Sequence, residues 1–436
     1  MRFALRRFTY VSMLTVGLCA TPDSHAQPPA QASKTPALEE AVNRFRVRDF
    51  DGALAAFRQA VKEKPDNPPA EVFMADMFKT VNDSAAARGW LERAVFEHSN
   101  DPQAYLALGD VNLRERRLVE AFMLFSSGAR RAEAMPTEDA RKKRLQEQAY
   151  RGLAAVAEAR SDWPTAQRYL DAILRAAPQD ALLSQRLGRA VFFQGKPDDA
   201  LTHFETAFAL DKKLLTPEAL MGQLYEQKGD RENAARYMAL AVKANPNDVN
   251  TCLAVAHWAL AAGNLSVAKQ QVEVARKMDA ESLAALSTSG TVALYMKDYA
   301  QAQRHYEAVL AKAPTDFAAT NGLALALCER EEPENKNRAL EYAQSTLRNY
   351  PRSTEAAATL GWVLYRLGRL EEADRVFGQV VLAGDLSSNA AYYIARAAVQ
   401  QGRNEQAKRL LEVALEARAY FVKRPDAEAL LKQLRE

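Results

Sequence analysis

A pairing of small and bulky apolar residues, four positions apart, recurs eleven times along this chain of 436 residues. The first members follow one another at a constant interval, as Ala53, Ala87 and Ala121 do, and the interval is longer only before Ala166 and before Ala339. Eleven matches in register indicate one supersecondary unit repeated along almost the whole chain. The pairs are Ala53/Phe57, Ala87/Leu91, Ala121/Phe125, Ala166/Leu170, Ala200/Phe204, Ala234/Met238, Ala268/Val272, Ala302/Tyr306, Ala339/Ala343, Ala373/Phe377 and Ala407/Leu411.

A second position repeats ahead of each pair and is small in every unit. Glycine stands there in Leu108-Gly109, Leu187-Gly188, Met221-Gly222, Ser289-Gly290 and Leu360-Gly361, always at the same distance before the paired alanine, and alanine takes the place elsewhere. A small residue at this spacing allows two helices to approach closely. Turns such as those at Gly195 and Gly229 follow, because glycine ends a helix in the left-handed conformation.

These residues resemble the tetratricopeptide repeat family, whose unit is a helix-turn-helix of about 34 residues. The stretch from Ser353 to Asp385 shows the pattern well, with Leu360-Gly361, Ala373 and Phe377. The resemblance implies an all-α fold, a right-handed α-solenoid or superhelix of about eleven repeats with a C-terminal capping helix. One helix pair cannot bury its own apolar stripe, so each pair stacks on its neighbours.

The predicted organisation divides the chain into six segments. They are a signal peptide at 1–26, a flexible tether at 27–33, repeats 1–3 at 34–135, an insertion extending a helix at 136–146, repeats 4–11 at 147–421 and a capping helix at 422–436. The insertion predicts a helix from Glu138 to Arg160 that projects beyond its neighbours. Its basic run at 141–144 is interpreted as a solvated helix end or as an anionic docking patch. Residues 331–335 predict an acidic surface loop, and the capping helix is expected to turn Ala429, Leu430 and Leu434 inward.

The first 26 residues have the features of an export signal. Three arginines precede an apolar stretch from Tyr10 to Ala20 that is short for a membrane span, and Ser24-His25-Ala26 offers a cleavage site after Ala26. The alternatives are a twin-arginine signal, a lipid anchor at Cys19, or an uncleaved leader. We expect a periplasmic or secreted protein with no integral membrane span once the signal is removed.

Charge and composition argue against several function classes. Three arginines and Asp23 give the leader +2 of the formal charge of +3, so the remainder is close to neutral and nucleic-acid binding is not expected. Cys252 and Cys328 lie in different repeats, which favours free buried thiols. The histidines show no paired ligand spacing, so neither a metal site nor another cofactor is expected. Catalytic motifs are not found, and we expect no enzyme activity.

Binding is therefore the predicted activity. In the family that the chain resembles, the first helix of each pair lines the concave face of the superhelix. Aromatic and arginine side chains are typical of binding hot spots, although each of them can also pack between adjacent helices. The predicted partner-binding residues are Trp362, Tyr365, Arg366, Tyr392, Arg396, Arg189, Phe192 and Phe193.

Two functions fit this surface. The first is a non-catalytic scaffold or adaptor of the cell envelope that binds a protein or peptide partner. The second is an accessory factor in envelope polymer handling, such as polysaccharide export or outer-membrane assembly, that contacts glycan or the export machinery. Exposed aromatic rings suit sugar rings as well as peptide segments, so the residues alone leave both open.

Overall fold

The computed structural model describes residues 35–384, 386–417 and 419–436. The predicted signal peptide and tether lie outside these residues. The described residues form 23 α-helices and no strand, which confirms the all-α fold. Two compact units divide the chain at Pro217/Glu218, and we call them the N-terminal unit and the C-terminal unit.

The helices of the N-terminal unit are α1 Pro36–Arg46, α2 Phe50–Glu63, α3 Ala70–Thr80, α4 Ser84–Glu97, α5 Pro102–Arg114, α6 Leu118–Ala134, α7 Lys142–Ala159, α8 Trp163–Ala176, α9 Ala181–Phe193 and α10 Pro197–Leu210. Those that follow are α11 Pro217–Lys228, α12 Arg231–Ala244, α13 Val249–Ala261, α14 Leu265–Met278, α15 Leu283–Tyr295, α16 Tyr299–Leu310, α17 Phe317–Cys328, α18 Pro333–Asn349, α19 Thr354–Arg366, α20 Leu370–Ala383, α21 Ser388–Gln400, α22 Asn404–Glu416 and α23 Arg424–Arg435.

Odd-numbered helices up to α21 are the first members of the helix pairs, and each is followed by its even-numbered partner. They also contact one another in sequence, as α3, α5 and α7 do in the N-terminal unit and α13, α15, α17, α19 and α21 do in the C-terminal unit. We call the side of each unit formed by the odd-numbered helices its first-helix surface.

The repeated small residues lie where helices touch. All eleven paired alanines are buried, none more than 2% exposed. A Cβ atom added at Gly188 would lie 2.6 Å from the ring of Phe204, and one added at Gly109 would lie 2.9 Å from the ring of Phe125. Both distances are shorter than van der Waals contact, so the bulky ring of each second helix requires the small residue of the first.

In ten of the eleven pairs the turn contains a residue in the left-handed region, and the longer turn between α17 and α18 is the exception. Glycine provides it at Gly195 and Gly263, with φ of +83° and +77°. Five repeats place another residue there at φ between 57° and 64°, namely Arg48, Asn82, Arg116, Ser161 and Lys297. Such residues carry a steric cost that glycine avoids.

The insertion at 136–146 differs from its prediction. Helix α7 begins at Lys142 and not at Glu138, because residues 136–141 form turns in which the Asp139 side chain accepts a hydrogen bond from the Arg141 backbone N–H at 2.8 Å. Arg141 also pairs with Asp101 at 3.1 Å. The Lys142 ammonium donates to the Met135 carbonyl at 2.7 Å. Arg141 and Lys142, two of the four residues in the basic run, therefore make contacts within the chain that stabilise this turn.

Two other local predictions are wrong in part. The acidic loop at 331–335 is shorter than expected, because Pro333 begins α18 and the extra residues lengthen that helix. In α23, Leu430 is buried and Leu434 half-buried as expected, but Ala429 is exposed and Ala427 takes the inward place.

Candidate partner-binding surfaces

The predicted aromatic residues of the C-terminal unit come together, but mostly in the interior. Trp362 is 3% exposed and Tyr392 is 5% exposed. The Trp362 ring stacks on Tyr365 at 5.1 Å and on Tyr393 at 4.6 Å between ring centroids, and Tyr392 lies 5.9 Å from it. Tyr365 is half-buried. The ring of Trp362 therefore packs between helices, and neither of its faces is open to a ligand.

A carboxylate explains how this cluster is held. Glu329, the residue after α17, accepts a hydrogen bond from Trp362 Nε1 at 2.9 Å and pairs with Arg366 at 3.1 Å and with Lys423 at 2.8 Å. The side chains of Glu329 and Lys423 are 8% and 9% exposed. We call Glu329, Trp362, Arg366 and Lys423 the Glu329 cluster. Its charges are paired inside the unit, as buried charges must be.

Lys423 belongs to a loop that lies against the first-helix surface. We call residues 419–423, which lie between α22 and α23, the C-terminal loop. The Tyr420 backbone N–H donates to the carbonyl of Ala261 at 2.7 Å, and its ring lies over Gly263 and 6.1 Å from the Tyr295 ring. The loop thus contacts the carboxyl ends of α13, α15 and α17 and the Trp362 ring of α19.

Two side chains of the C-terminal loop are buried in the C-terminal unit. Phe421 and Val422 are 5% and 6% exposed and belong to the same apolar core as Trp362. Burial raises the pKa of Tyr295 to about 12. It also raises the pKa of Tyr392, and the charge of nearby Arg396 opposes that shift. The C-terminal loop therefore fills the part of the surface that the sequence predicts to be open.

Arg396, also predicted as a binding residue, stays half-buried beside Tyr392. It forms no ion pair with a described residue, and its Nε atom is buried without a hydrogen-bond partner.

The predicted residues of the N-terminal unit form a different arrangement. The Arg189 guanidinium lies 5.7 Å from the ring centroid of Trp163 and 5.8 Å from that of Phe193, and these two rings stack at 4.6 Å. We call Trp163, Arg189 and Phe193 the Arg189 cluster. All three side chains are half-buried, while the predicted residue Phe192 is buried against Phe193.

Arg189 differs from its neighbours in having no carboxylate. Arg186 on the same helix binds Glu158 through two hydrogen bonds of 3.0 and 2.9 Å. Arg151 pairs with Asp180 at 2.8 Å. Arg189 makes no ion pair within the described part of the chain, and its buried Nε lacks a hydrogen-bond partner. The Arg189 cluster therefore offers a cation beside two aromatic rings.

Further polar groups lie on the same surface near the start of the unit. Asp76 and Lys79 pair at 2.8 Å. Burial raises the pKa of Asp110 to about 6, against the opposing charges of Arg114 and Lys79. These groups bring charge of both signs to α3 and α5.

One group of side chains in the described residues has the spacing of a metal site. Glu71, Glu97 and His98 each offer a ligand atom within 4.8 Å of the others. The Arg58 guanidinium already donates to Glu71 at 2.8 Å and to Glu97 at 3.3 Å, and His98 Nε2 lies 2.9 Å from Glu71. A guanidinium on the same carboxylates opposes a cation, so the arrangement fits an ion-pair network better.

Four residues in or next to the two clusters were not among the predicted binding residues, namely Glu329, Lys423, Trp163 and Tyr393. A signal for the loop was present, because Tyr420-Phe421-Val422 is an apolar run beyond the last paired alanine and leucine. None of the helices that the structure describes has the length and apolar character required to span a bilayer.

Comparison with known proteins gives matches to tetratricopeptide repeat models. One covers residues 45–111, and another covers 151–207, 186–249, 287–335 and 334–391, so that together they span more than half of the chain. No sequence among the curated proteins matches the chain.

Solved structures that resemble the chain include three examples. The yeast Tom70 structure is 13% identical and matches 92% of this chain and 95% of its own, with a TM-score of 0.39. A tetratricopeptide repeat protein from Parabacteroides merdae is 17% identical over 66% of this chain and 100% of its own, with a TM-score of 0.39. The APC/C hetero-tetramer Cut9-Hcn1 is 11% identical over 95% and 98%, with a TM-score of 0.44.

Proposed function

The chain belongs to the tetratricopeptide repeat family, and from that premise we propose that it is a non-catalytic scaffold of the cell envelope. It holds a partner protein through an extended segment on the first-helix surface of its N-terminal unit. Repeat proteins of this family generally act as protein–protein interaction scaffolds, and their stacked helices provide a long continuous surface.

The unpaired Arg189 is the single observation that carries this proposal. The guanidinium of Arg189 has no carboxylate among the described residues, and a carboxylate from a partner would pair with its charge through charge-assisted hydrogen bonds. The half-buried rings of Trp163 and Phe193 flank it and supply apolar contact area. Arginine with aromatic neighbours is the composition of binding hot spots. The partner segment should therefore carry an acidic residue next to an apolar one.

The envelope location rests on the leader, Met1–Ala26, with its basic start, short apolar stretch and small residues before the cleavage site. The glycan-binding alternative has less support. Sugar stacking requires an open ring face, whereas Trp362 and Tyr392 are buried.

The test is photo-crosslinking in cells that export the full chain. A crosslinking amino acid replaces Phe193 in one strain and Phe208 in the other; both side chains are half-buried, but Phe208 lies on the second helix α10. We expect a discrete protein adduct at Phe193 that disappears in Arg189→Ala and persists in Arg175→Ala, where the arginine bonds only to its own helix. Equal adducts at both positions, or an adduct at Phe193 that ignores Arg189→Ala, would contradict the proposal.

A further inference from the structure

We infer that the C-terminal unit contains a second peptide-binding surface, and that the C-terminal loop is its built-in, exchangeable occupant. The partner that replaces the loop carries an aromatic residue, two apolar residues and then a lysine or arginine in an extended segment. This surface is separate from the Arg189 cluster, and its chemistry is opposite in sign, because it binds a cation on Glu329.

Each contact of the loop is one that a separate peptide could make. The Tyr420 N–H donates to the Ala261 carbonyl, which lies in the last turn of α13 where carbonyls lack partners within the helix. The Tyr420 ring lies against Gly263, where a glycine leaves room for it. Main-chain hydrogen bonds with side-chain pockets are the usual way in which extended segments are recognised.

The basic residue is specified by the acid beneath it. Glu329 lies at the carboxyl end of α17, where the helix dipole adds negative potential. Arg366 binds Oε2, whereas Oε1 accepts from Trp362 and Lys423. Removing Lys423 would leave a nearly buried carboxylate oxygen with only the indole N–H. A partner that displaces the loop must therefore bring its own cation.

The base of the loop and helix α23 have anchors besides the contacts of the loop with the first-helix surface. The Arg424 guanidinium donates to the carbonyls of Ala417 at 2.9 Å and Leu415 at 3.4 Å, which closes the base of the loop. Helix α23 packs on α22, and Arg435 pairs with Glu412 at 2.7 Å. Release of the loop gives up the hydrogen bonds from the Arg424 N–H to the Phe421 carbonyl and from the Ala427 N–H to the Lys423 carbonyl. The first turn of α23 therefore frays, while the contacts with α22 hold the rest of the helix.

An occupant on the same chain competes strongly with a free peptide. Its effective concentration on a short loop is in the millimolar range, so a peptide with micromolar intrinsic affinity binds weakly until the loop leaves. In the free protein the C-terminal loop therefore occupies the surface. A partner displaces the loop if it binds more tightly or if its local concentration is high.

The test uses the full chain and a fluorescent peptide, acetyl-Ala-Tyr-Phe-Val-Lys-Arg-amide, which copies residues 419–424. In the first variant, Tyr420→Ala with Phe421→Ala, the loop loses the two aromatic side chains that contact the surface, while Ala261, Gly263 and Glu329 are unaltered. We expect this variant to bind the peptide with a Kd at least tenfold lower than that of the native chain, because the peptide supplies the side chains that the loop has lost.

A second variant leaves the surface itself unaltered. In Lys423→Glu the loop meets Glu329 with like charge, and we expect at least tenfold tighter peptide binding than in the native chain. The matched control is Lys408→Glu, whose exposed ion pair with Glu405 lies on α22, and it should bind the peptide as the native chain does. A peptide with glutamate in place of lysine should bind none of the variants.

Equal peptide affinity in the native chain, in the double alanine variant and in Lys423→Glu would show the loop to be a permanent cap and overturn the inference. Circular dichroism confirms that each variant is folded. The result is independent of the proposed function: a partner adduct at Phe193 with no peptide binding refutes only this inference, and the reverse result refutes only the Arg189 surface.

Discussion

The two units place the same kinds of side chain in opposite settings. In the C-terminal unit, Trp362 and Arg366 both hydrogen-bond to Glu329. In the N-terminal unit, Trp163 and Arg189 lack such an acid. At Trp362 a carboxylate completes the aromatic–arginine pair and the ring is buried, whereas at Trp163, which has no such acid, the ring stays half-buried and is a binding candidate.

Truncating the two tryptophans should give the largest contrast. Trp362→Ala removes a buried ring, two stacking contacts and a hydrogen bond, so we expect a loss of about 3–5 kcal/mol in the free energy of unfolding. Trp163→Ala removes a half-buried ring and should cost roughly 1–2 kcal/mol. Denaturant unfolding followed by circular dichroism measures both. Equal losses would mean that Trp163 is packed as tightly as Trp362.

The second largest difference between the Glu329 cluster and the Arg189 cluster should appear when the Glu329 carboxylate is removed. Glu329→Gln keeps an acceptor for Trp362 but leaves Lys423 and Arg366 without a carboxylate, for which we expect a loss of about 3 kcal/mol. Arg189→Ala removes no ion pair but loses the contacts with the Trp163 and Phe193 rings, so it should cost about 1 kcal/mol or less. Trypsin cleavage after Lys423 should accelerate only in Glu329→Gln. If Arg189→Ala were as destabilising, Arg189 would have a structural partner after all.

A pH dependence is expected from the N-terminal unit. The pKa of Asp110 is raised from 3.8 to about 6 by burial, so ionisation penalises the folded state, and the stability falls as pH rises from about 4 to about 6. Asp110→Asn should therefore stabilise the unit by about 2 kcal/mol at pH 7 and by almost nothing at pH 4. Thermal midpoints at the two pH values measure this, and an equal effect at both would show that the charge is not the cause.

The smallest contrast lies in the turns. Ser161→Gly relieves a φ of 57° in the N-terminal unit, and we expect a gain of about 0.5–1 kcal/mol. Lys297→Gly relieves a φ of 60° in the C-terminal unit but loses the ion pair with Asp426 at 3.2 Å. Its gain should therefore be about half as large. A larger gain for Lys297→Gly in thermal unfolding would mean that the Asp426 contact adds nothing.

The fold could be predicted from the sequence because the residues that pack against each other lie within one repeat and at a fixed spacing. Ala200 and Phe204 follow Gly188 at the spacing of the repeat, and the structure buries the alanine and places the Phe204 ring against the glycine. Helix starts were harder at the insertion, since Asp139 competes for backbone N–H groups and delays α7 to Lys142.

Site residues were harder to predict because their exposure depends on distant partners. Trp362 is covered by Lys423, which lies beyond the last repeat, and no repeat rule relates the two. Arg189 and Arg366 both lie on first helices, α9 and α19, but only Arg366 has an acid within reach among the described residues. The repeat pattern of the sequence assigns a residue to one face of a helix. It does not show whether a later segment of the chain covers that face.

Hydrogen exchange at the Tyr420 amide reports whether the C-terminal loop occupies the first-helix surface of the C-terminal unit, because that amide donates to the Ala261 carbonyl. In the full-length native protein we expect strong protection at the Tyr420 amide, and loss of that protection in Lys423→Glu, while α23 beyond its first turn stays protected. Exchange at the rate of an unstructured peptide in the native protein would mean that the loop does not occupy the surface, and the contrast between the units would fail.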